Sequence, residues 1–244
     1  LQLSSSTYFV FLAAVFLLYW PISRVRILTL SLILFANYFF YAKWDLIYLV
    51  LIPAVSSVDF FIGLGLQSSK RPAVRKLLVT LSILLNLGML AGFKYVPFAL
   101  QNWSQITGRM APEWHPTGQW LLPISLSFYV FQALTYTIDL YRGDAKGTRS
   151  YLSHLAAVSF FPTTLAGPIT RVSTLIEQFE KPKKLDAETG SRALFLIATG
   201  LMKKLMIADF LGSNLVNRVF DFPNLYSGTE VLVAVYAYAL QIYF

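Results

Sequence analysis

Five apolar runs, almost without charge, fill most of the first 141 residues of this 244-residue chain: 8–22, 27–42, 46–66, 77–93 and 119–141. A helix that crosses the hydrocarbon core of a bilayer needs about 20 apolar residues. The pattern predicts an all-α, polytopic bundle of transmembrane helices forming a single membrane domain over residues 1–244. Composition agrees: 56% of the residues are hydrophobic and 13% are charged, against roughly 25% charged in soluble domains. The first run has no basic segment before it and ends in Tyr19-Trp20-Pro21. It reads as a first membrane helix with an aromatic interfacial end, not as a cleavable signal. Residue 1 is Leu, and the apolar segment 229–244 runs to the last residue. The expectation is a piece of a longer protein, cut within a membrane helix.

A net charge of +8 would suggest nucleic acid in a soluble protein. Here the basic residues lie between apolar runs, so topology and anionic lipid headgroups account for them, and nucleic acid is not an expected partner. Arg24, Arg26, Lys70, Arg71, Arg75, Lys76, Arg142, Lys146 and Arg149 fall on one side of the bundle; Lys43, Lys94 and Arg109 fall on the other. Nine against three puts the 67–76 loop in the cytoplasm and the N-terminus and the 102–118 loop outside. The expected location is a bacterial inner membrane, crossed several times.

After residue 150 the alternation breaks. The apolar run 151–169 is interrupted by Pro162 and by Gly167-Pro168, and Arg171, Lys181, Lys183 and Lys184 follow it. A re-entrant segment fits those charges better than a crossing, with its broken backbone buried against protein or water. Residues 191–207 hold only ten apolar positions before Lys203, too few to span. The spacing of Phe210, Leu211, Leu215, Val216, Val219 and Phe220 predicts an amphipathic helix over 209–220, lying in the interface plane.

Few residues suggest chemistry. The chain has no Cys, which excludes disulfides, thiolate metal sites and a Cys nucleophile in this stretch, and with two His no metal site is expected. Asp59, Asp139 and Asp209 lie in or beside apolar runs, where a charge is costly and marks either a satisfied structural contact or a functional group. Asp139 stands three residues before Arg142, a spacing that pairs them on one helix. Lys203 and Lys204 either snorkel to headgroups or meet an anionic group such as a phosphate. His115 and His154 have no acid at a triad-like or metal-like spacing and read as structural.

Leu122-Pro123-Ile124-Ser125-Leu126-Ser127-Phe128-Tyr129-Val130-Phe131-Gln132, then Tyr136, Asp139 and Tyr141-Arg142-Gly143, form one block of a larger pattern. Phe160-Phe161-Pro162 with Ala166-Gly167-Pro168-Ile169 form another, and Gly200-Leu201-Met202-Lys203-Lys204 with Ile207-Ala208-Asp209 a third. With Phe40-Tyr41-Ala42-Lys43-Trp44-Asp45, Phe93-Lys94-Tyr95 and the closing 236–244 stretch, they resemble the membrane-bound O-acyltransferase (MBOAT) family. The branch resembled is the bacterial alginate O-acetylation and D-alanyl-transfer type, over its N-terminal half. Ser125 stands where the family often has Gly, and Thr163-Thr164 where many members have Gln and an aliphatic residue.

The resemblance implies transfer of an acyl group, usually acetyl, to a hydroxyl of an extracytoplasmic polysaccharide or other envelope polymer. It implies a cytoplasmic thioester donor such as acetyl-CoA, no bound cofactor, and periplasmic acetyltransferase partner proteins. The family's catalytic His, in a Trp-His stretch, has no match in this chain. Lys203, Lys204, Pro162, Gly167, Pro168, Gln132 and Asp209 are then donor-side or tunnel candidates. The alternatives are a transporter or flippase, which calls for paired broken segments where one is visible, and a non-catalytic membrane scaffold.

Overall fold

A computed structural model describes residues 5–43, 46, 48–108, 126–164, 169–181 and 186–244, and these form helices with no strand among them. The chain divides into two compact units, Leu1–Pro182 and Lys183–Phe244.

The first unit opens with α1 (Ser6–Ile22) and α2 (Arg26–Ala42), packed on each other across a short turn. The Ser5 hydroxyl caps α1 by accepting from the Tyr8 N–H at 3.2 Å. Next come α3 (Tyr48–Ser68) and α4 (Pro72–Leu90), which continues through a π-turn (Ala91–Tyr95) into α5 (Val96–Thr107). The segment Leu49–Ser68 and the run Pro72–Thr107 are long and apolar enough to cross a membrane. The predicted 67–76 loop is shorter than expected. Pro72 sits at N1, where its missing N–H costs nothing, and starts α4 with Arg75 and Lys76 already helical. Likewise 102–107 belongs to α5 and not to a loop, while 109–125 lies outside the described residues.

Central to this unit is α6 (Leu126–Arg142), buried on most of its circumference against α3 and α4. Gly63 of α3 allows the close approach: a Cβ there would stand 2.6 Å from the Tyr136 ring. Gly143 ends α6 in the left-handed region (φ 83°), its N–H bonded to Asp139 O at 3.0 Å. Arg75 closes the same end, donating to Leu66 O, to Leu140 O at 2.9 Å and to Tyr141 O at 2.9 Å. One guanidinium thus satisfies last-turn carbonyls of two helices. Three short helices complete the unit: α7 (Tyr151–Val158), α8 (Phe161–Thr164) and α9 (Val172–Glu180).

In the second unit, α10 (Ala187–Lys203), a π-turn (Lys204–Ala208), α11 (Asp209–Leu211), a second π-turn (Gly212–Val216) and α12 (Asn217–Asp221) follow without a break. The sequence predicts two pieces here, 191–207 and 209–220; the structure has one helical run. Its start is capped by Asp186, which accepts from the Thr189 N–H at 2.6 Å, and that bond holds the carboxyl below the usual carboxylate range. The last helix, α13 (Gly228–Tyr243), folds back on the run. Gly212, Val216 and Val219 are buried here, as are Ala234 and Ala237. The predicted amphipathic face therefore has a protein partner, α13.

Candidate functional site: a broken helix held by buried amides

Eight residues make α7 only about 12 Å long at 1.5 Å per residue, and its Ser153–Val158 stretch is buried. A buried helix end exposes carbonyls that need donors, and two side-chain amides supply them. Asn37 of α2 donates to Ala156 O at 3.2 Å and to Ser159 Oγ at 3.0 Å, and its own oxygen accepts from the Phe161 N–H at 3.1 Å. Gln132 of α6 donates to Ala157 O at 3.1 Å and to Val158 O at 3.3 Å. Both amides are inaccessible to solvent, at 0% and 1%. Gln132, a tunnel candidate by resemblance, is thus occupied in capping α7. Asn37 escaped the sequence reading, which weighed charges in apolar runs and not amides; a lone Asn within Leu34-Phe35-Ala36-Asn37-Tyr38 was the available signal.

The residue before α7 and the last turn of α9 are joined. The Thr148 hydroxyl, just before α7, donates to Glu180 Oε1 at 2.8 Å, at the last turn of α9. Arg26 Nη2, at the start of α2, reaches the same oxygen at 3.2 Å and Ser153 Oγ at 3.1 Å. Pro162 in α8 borders an apolar groove of about 240 Å³ with Tyr19, Trp20, Phe160 and Phe179. Gly167 and Pro168 lie outside the described residues.

His154 sits inside α7's buried face at 0% exposure. Its Nε2 is 3.1 Å from Ser56 O, and the Tyr136 and Phe60 rings lie 4.5 and 5.6 Å from its own. An N–H facing a carbonyl fixes the Nε2-protonated tautomer. Beside it, Ser56 Oγ and Tyr129 OH meet at 2.9 Å, and Tyr129 donates onward to Ile52 O at 3.0 Å.

Asp59 is 1% exposed. Ser82 donates to its Oδ1 at 2.7 Å, and the Asn86 amide reaches both carboxyl oxygens at 3.1 and 2.9 Å. Ser82 also meets Thr137 Oγ1 at 2.9 Å, so α3, α4 and α6 share one polar knot. Among the described residues no cation pairs with Asp59. Asp139 corrects the sequence reading. Its partners are Ser173 Oγ at 3.3 Å and Arg171 at 3.7 Å, whereas Arg142 pairs with Asp144 at 3.1 Å. After Gly143 the chain leaves the helix and offers Arg142 a nearer acid than the one three residues back.

In the second unit, Lys204 and Asp209 form an ion pair at 2.7 Å across the first π-turn, and Lys203 Nζ stands 6.0 Å from the centre of the Phe244 ring. All three candidates there are thus engaged within their own unit, with Lys204 and Asp209 still 43% and 47% exposed at the side chain.

The described part of the first unit is a helical bundle whose broken backbone is capped by buried amides, and over nearly its whole length the chain is similar to proteins named as O-acetylases. Over 245 residues it is 35% identical to a protein of Pseudomonas putida named "Probable alginate O-acetylase AlgI", covering 98% of the chain and 49% of that protein. The protein of the same name in Pseudomonas aeruginosa is 34% identical over 244 residues, 98% of the chain and 46% of its own length. A peptidoglycan O-acetyltransferase of Helicobacter pylori is 26% identical over 235 residues, 86% of the chain and 44% of that protein. The chain spans about half the length of the curated relatives it matches. No family model and no solved structure matches it.

Proposed function

We propose that the whole protein is a multi-pass membrane O-acetyltransferase acting on an envelope or secreted polymer, with alginate and peptidoglycan as the acceptor classes its relatives' names indicate. The relatives' identity over 98% of the chain is the observation that carries this reading. Membrane embedding is supported by the two long apolar helices and by the outward apolar side chains of Leu17, Phe35, Val50 and Leu84, all more than 60% exposed. Soluble monomers rarely expose large contiguous apolar surface.

The segment from Thr148 to Glu180 acts as a re-entrant hairpin that enters and leaves on the side bearing Arg26. The support is the Thr148–Glu180–Arg26 contact, which joins its two ends, together with a length for α7 well short of the roughly 30 Å hydrocarbon core. Its carbonyls stay hydrogen-bonded because Asn37 and Gln132 replace the water that hydrocarbon excludes.

The donor is an acyl thioester presented from the cytoplasm. The acceptor oxygen attacks the thioester carbonyl, the C–S bond breaks, the acetyl ester forms, and the hydroxyl proton leaves with the thiol. By resemblance a His serves as general base. His154, enclosed and bonded to Ser56 O, does not suit that task. Lys203 and Lys204 contribute positive charge for the anionic donor.

The test uses the full-length gene in a strain lacking its own O-acetylase, with polymer acetylation read by NMR and normalised to membrane protein level. Acetylation should be restored. Lys203→Gln with Lys204→Gln should insert normally and raise the donor concentration needed for half-maximal rate. No restoration in any acceptor background sinks the transferase reading, and an unchanged donor dependence makes the lysines anchors only.

A further inference from the structure

Between α4 and α6 the first unit carries an open groove of about 400 Å³. Its walls are apolar, including Ile83 and Leu87 of α4 and Phe131 and Ile138 of α6. From Phe131 to Asp139 it runs along nine residues of helix, a rise of about 12 Å. One end is different: Arg171 and Asp139 line it together. Their closest atoms stand 3.7 Å apart, beyond hydrogen-bond length, and the Arg171 side chain is 62% exposed. Asp139 also accepts from Ser173 Oγ at 3.3 Å and is nearly buried. Among the described residues the guanidinium has the 3.7 Å ion pair with Asp139 and no shorter side-chain contact, so it lines the groove with donors to spare.

We propose that this groove holds one phospholipid, its phosphate on Arg171 and an acyl chain along α4 and α6. The shape selects an amphiphile. Along the apolar walls Thr135 is the polar side chain, and its hydroxyl already donates to Gln132 O at 2.7 Å and accepts from the Val172 N–H at 3.1 Å. That leaves little for a polyhydroxyl polymer, whereas burying a hydrocarbon chain there gains about 25 cal/mol per Å². A planar guanidinium with free forks matches a phosphate in geometry as well as charge. The headgroup lies at the α6 C-terminal end, so the lipid comes from the leaflet on the side of Arg75 and Arg142. The inference rests on the membrane reading and is independent of acyl transfer.

Native mass spectrometry of delipidated full-length protein, titrated with phosphatidylglycerol, phosphatidylethanolamine or diacylglycerol of the same tails, tests it. One molecule of either phospholipid should bind about tenfold more tightly than diacylglycerol, as one charge-assisted contact predicts. Arg171→Gln should remove that advantage. Leu87→Trp, which fills the groove from an exposed position, should weaken both phospholipids with Arg171 intact, and Arg218→Gln in the second unit should change nothing. Equal affinity for diacylglycerol, or either groove variant binding as the unsubstituted protein does, overturns the proposal. So does release of the protein from membranes by alkaline carbonate, a result that would also remove the membrane reading itself.

Discussion

The Asn37 amide meets the Ser159 hydroxyl at 3.0 Å, both side chains wholly enclosed, and so ties α2 to the break between α7 and α8 across 122 residues of sequence. The same side chain serves Ala156 O and the Phe161 N–H. A break in a buried helix is stable only while such groups are satisfied.

Asn37→Leu should therefore be among the most damaging single changes in the first unit. It leaves a buried carbonyl and a buried N–H unpartnered, each costing about 1–3 kcal/mol. Thermal unfolding of the detergent-solubilised full-length protein should show a midpoint lowered by several degrees. Asn102→Ala removes a partly exposed amide that, among the described residues, bonds Phe98 O within its own helix, and should stay within about 0.5 kcal/mol. Equal midpoints for the two variants would deny Asn37 its capping role.

Asp59 should tolerate Asn and not Leu. Ser82 and Asn86 both donate to it, so an Asn oxygen keeps a hydrogen-bond acceptor in place, while Leu takes the acceptor from both buried donors and leaves them only Thr137 Oγ1 and Ser82 O. Asp59→Leu should lower stability by about 2–5 kcal/mol and deplete the protein from membranes, with activity per molecule retained. A normally abundant Asp59→Asn protein without acetylation would instead mark the carboxylate as functional.

The absence of Cys permits clean accessibility mapping. Lys70→Cys and Ile106→Cys lie at opposite ends of the Pro72–Thr107 run and are exposed. In intact cells an impermeant maleimide should label Ile106→Cys and spare Lys70→Cys. Arg149→Cys and Lys181→Cys flank the proposed hairpin and should both be spared until permeabilisation. Labelling of one of that pair alone would mean a full crossing.

His154→Ala in the full-length enzyme should reduce abundance more than specific activity. The ring fills a fully buried site between Phe60 and Tyr136, so its removal leaves a cavity. Loss of a general base costs about 10²–10⁴-fold in rate. A specific loss of that size, measured per folded molecule, would place catalysis at His154.

The helical class, the positions of the apolar runs and the break after residue 150 were all legible in the chain. Each depends on how a local stretch partitions between water and an apolar medium, and that is a property of adjacent residues. Helix ends were less legible. Pro72 begins α4 inside a segment whose charges suggested a loop, and the π-turns at Lys204–Ala208 and Gly212–Val216 let two predicted pieces run on as one. Charge alone does not end a helix whose backbone can continue.

The sequence by itself thus determined which segments are apolar and which family pattern they resemble, because transfer free energy adds residue by residue. Only the tertiary structure decided the partners of the polar groups carried along. Asn37 finds Ala156 O at a separation of 119 residues, Asp139 finds Arg171 in place of Arg142, and Thr148 finds Glu180. A hydrogen bond needs its atoms within about 3 Å and correctly aimed, and that alignment comes from how α2, α6, α7 and α9 pack together, which no local stretch of residues contains.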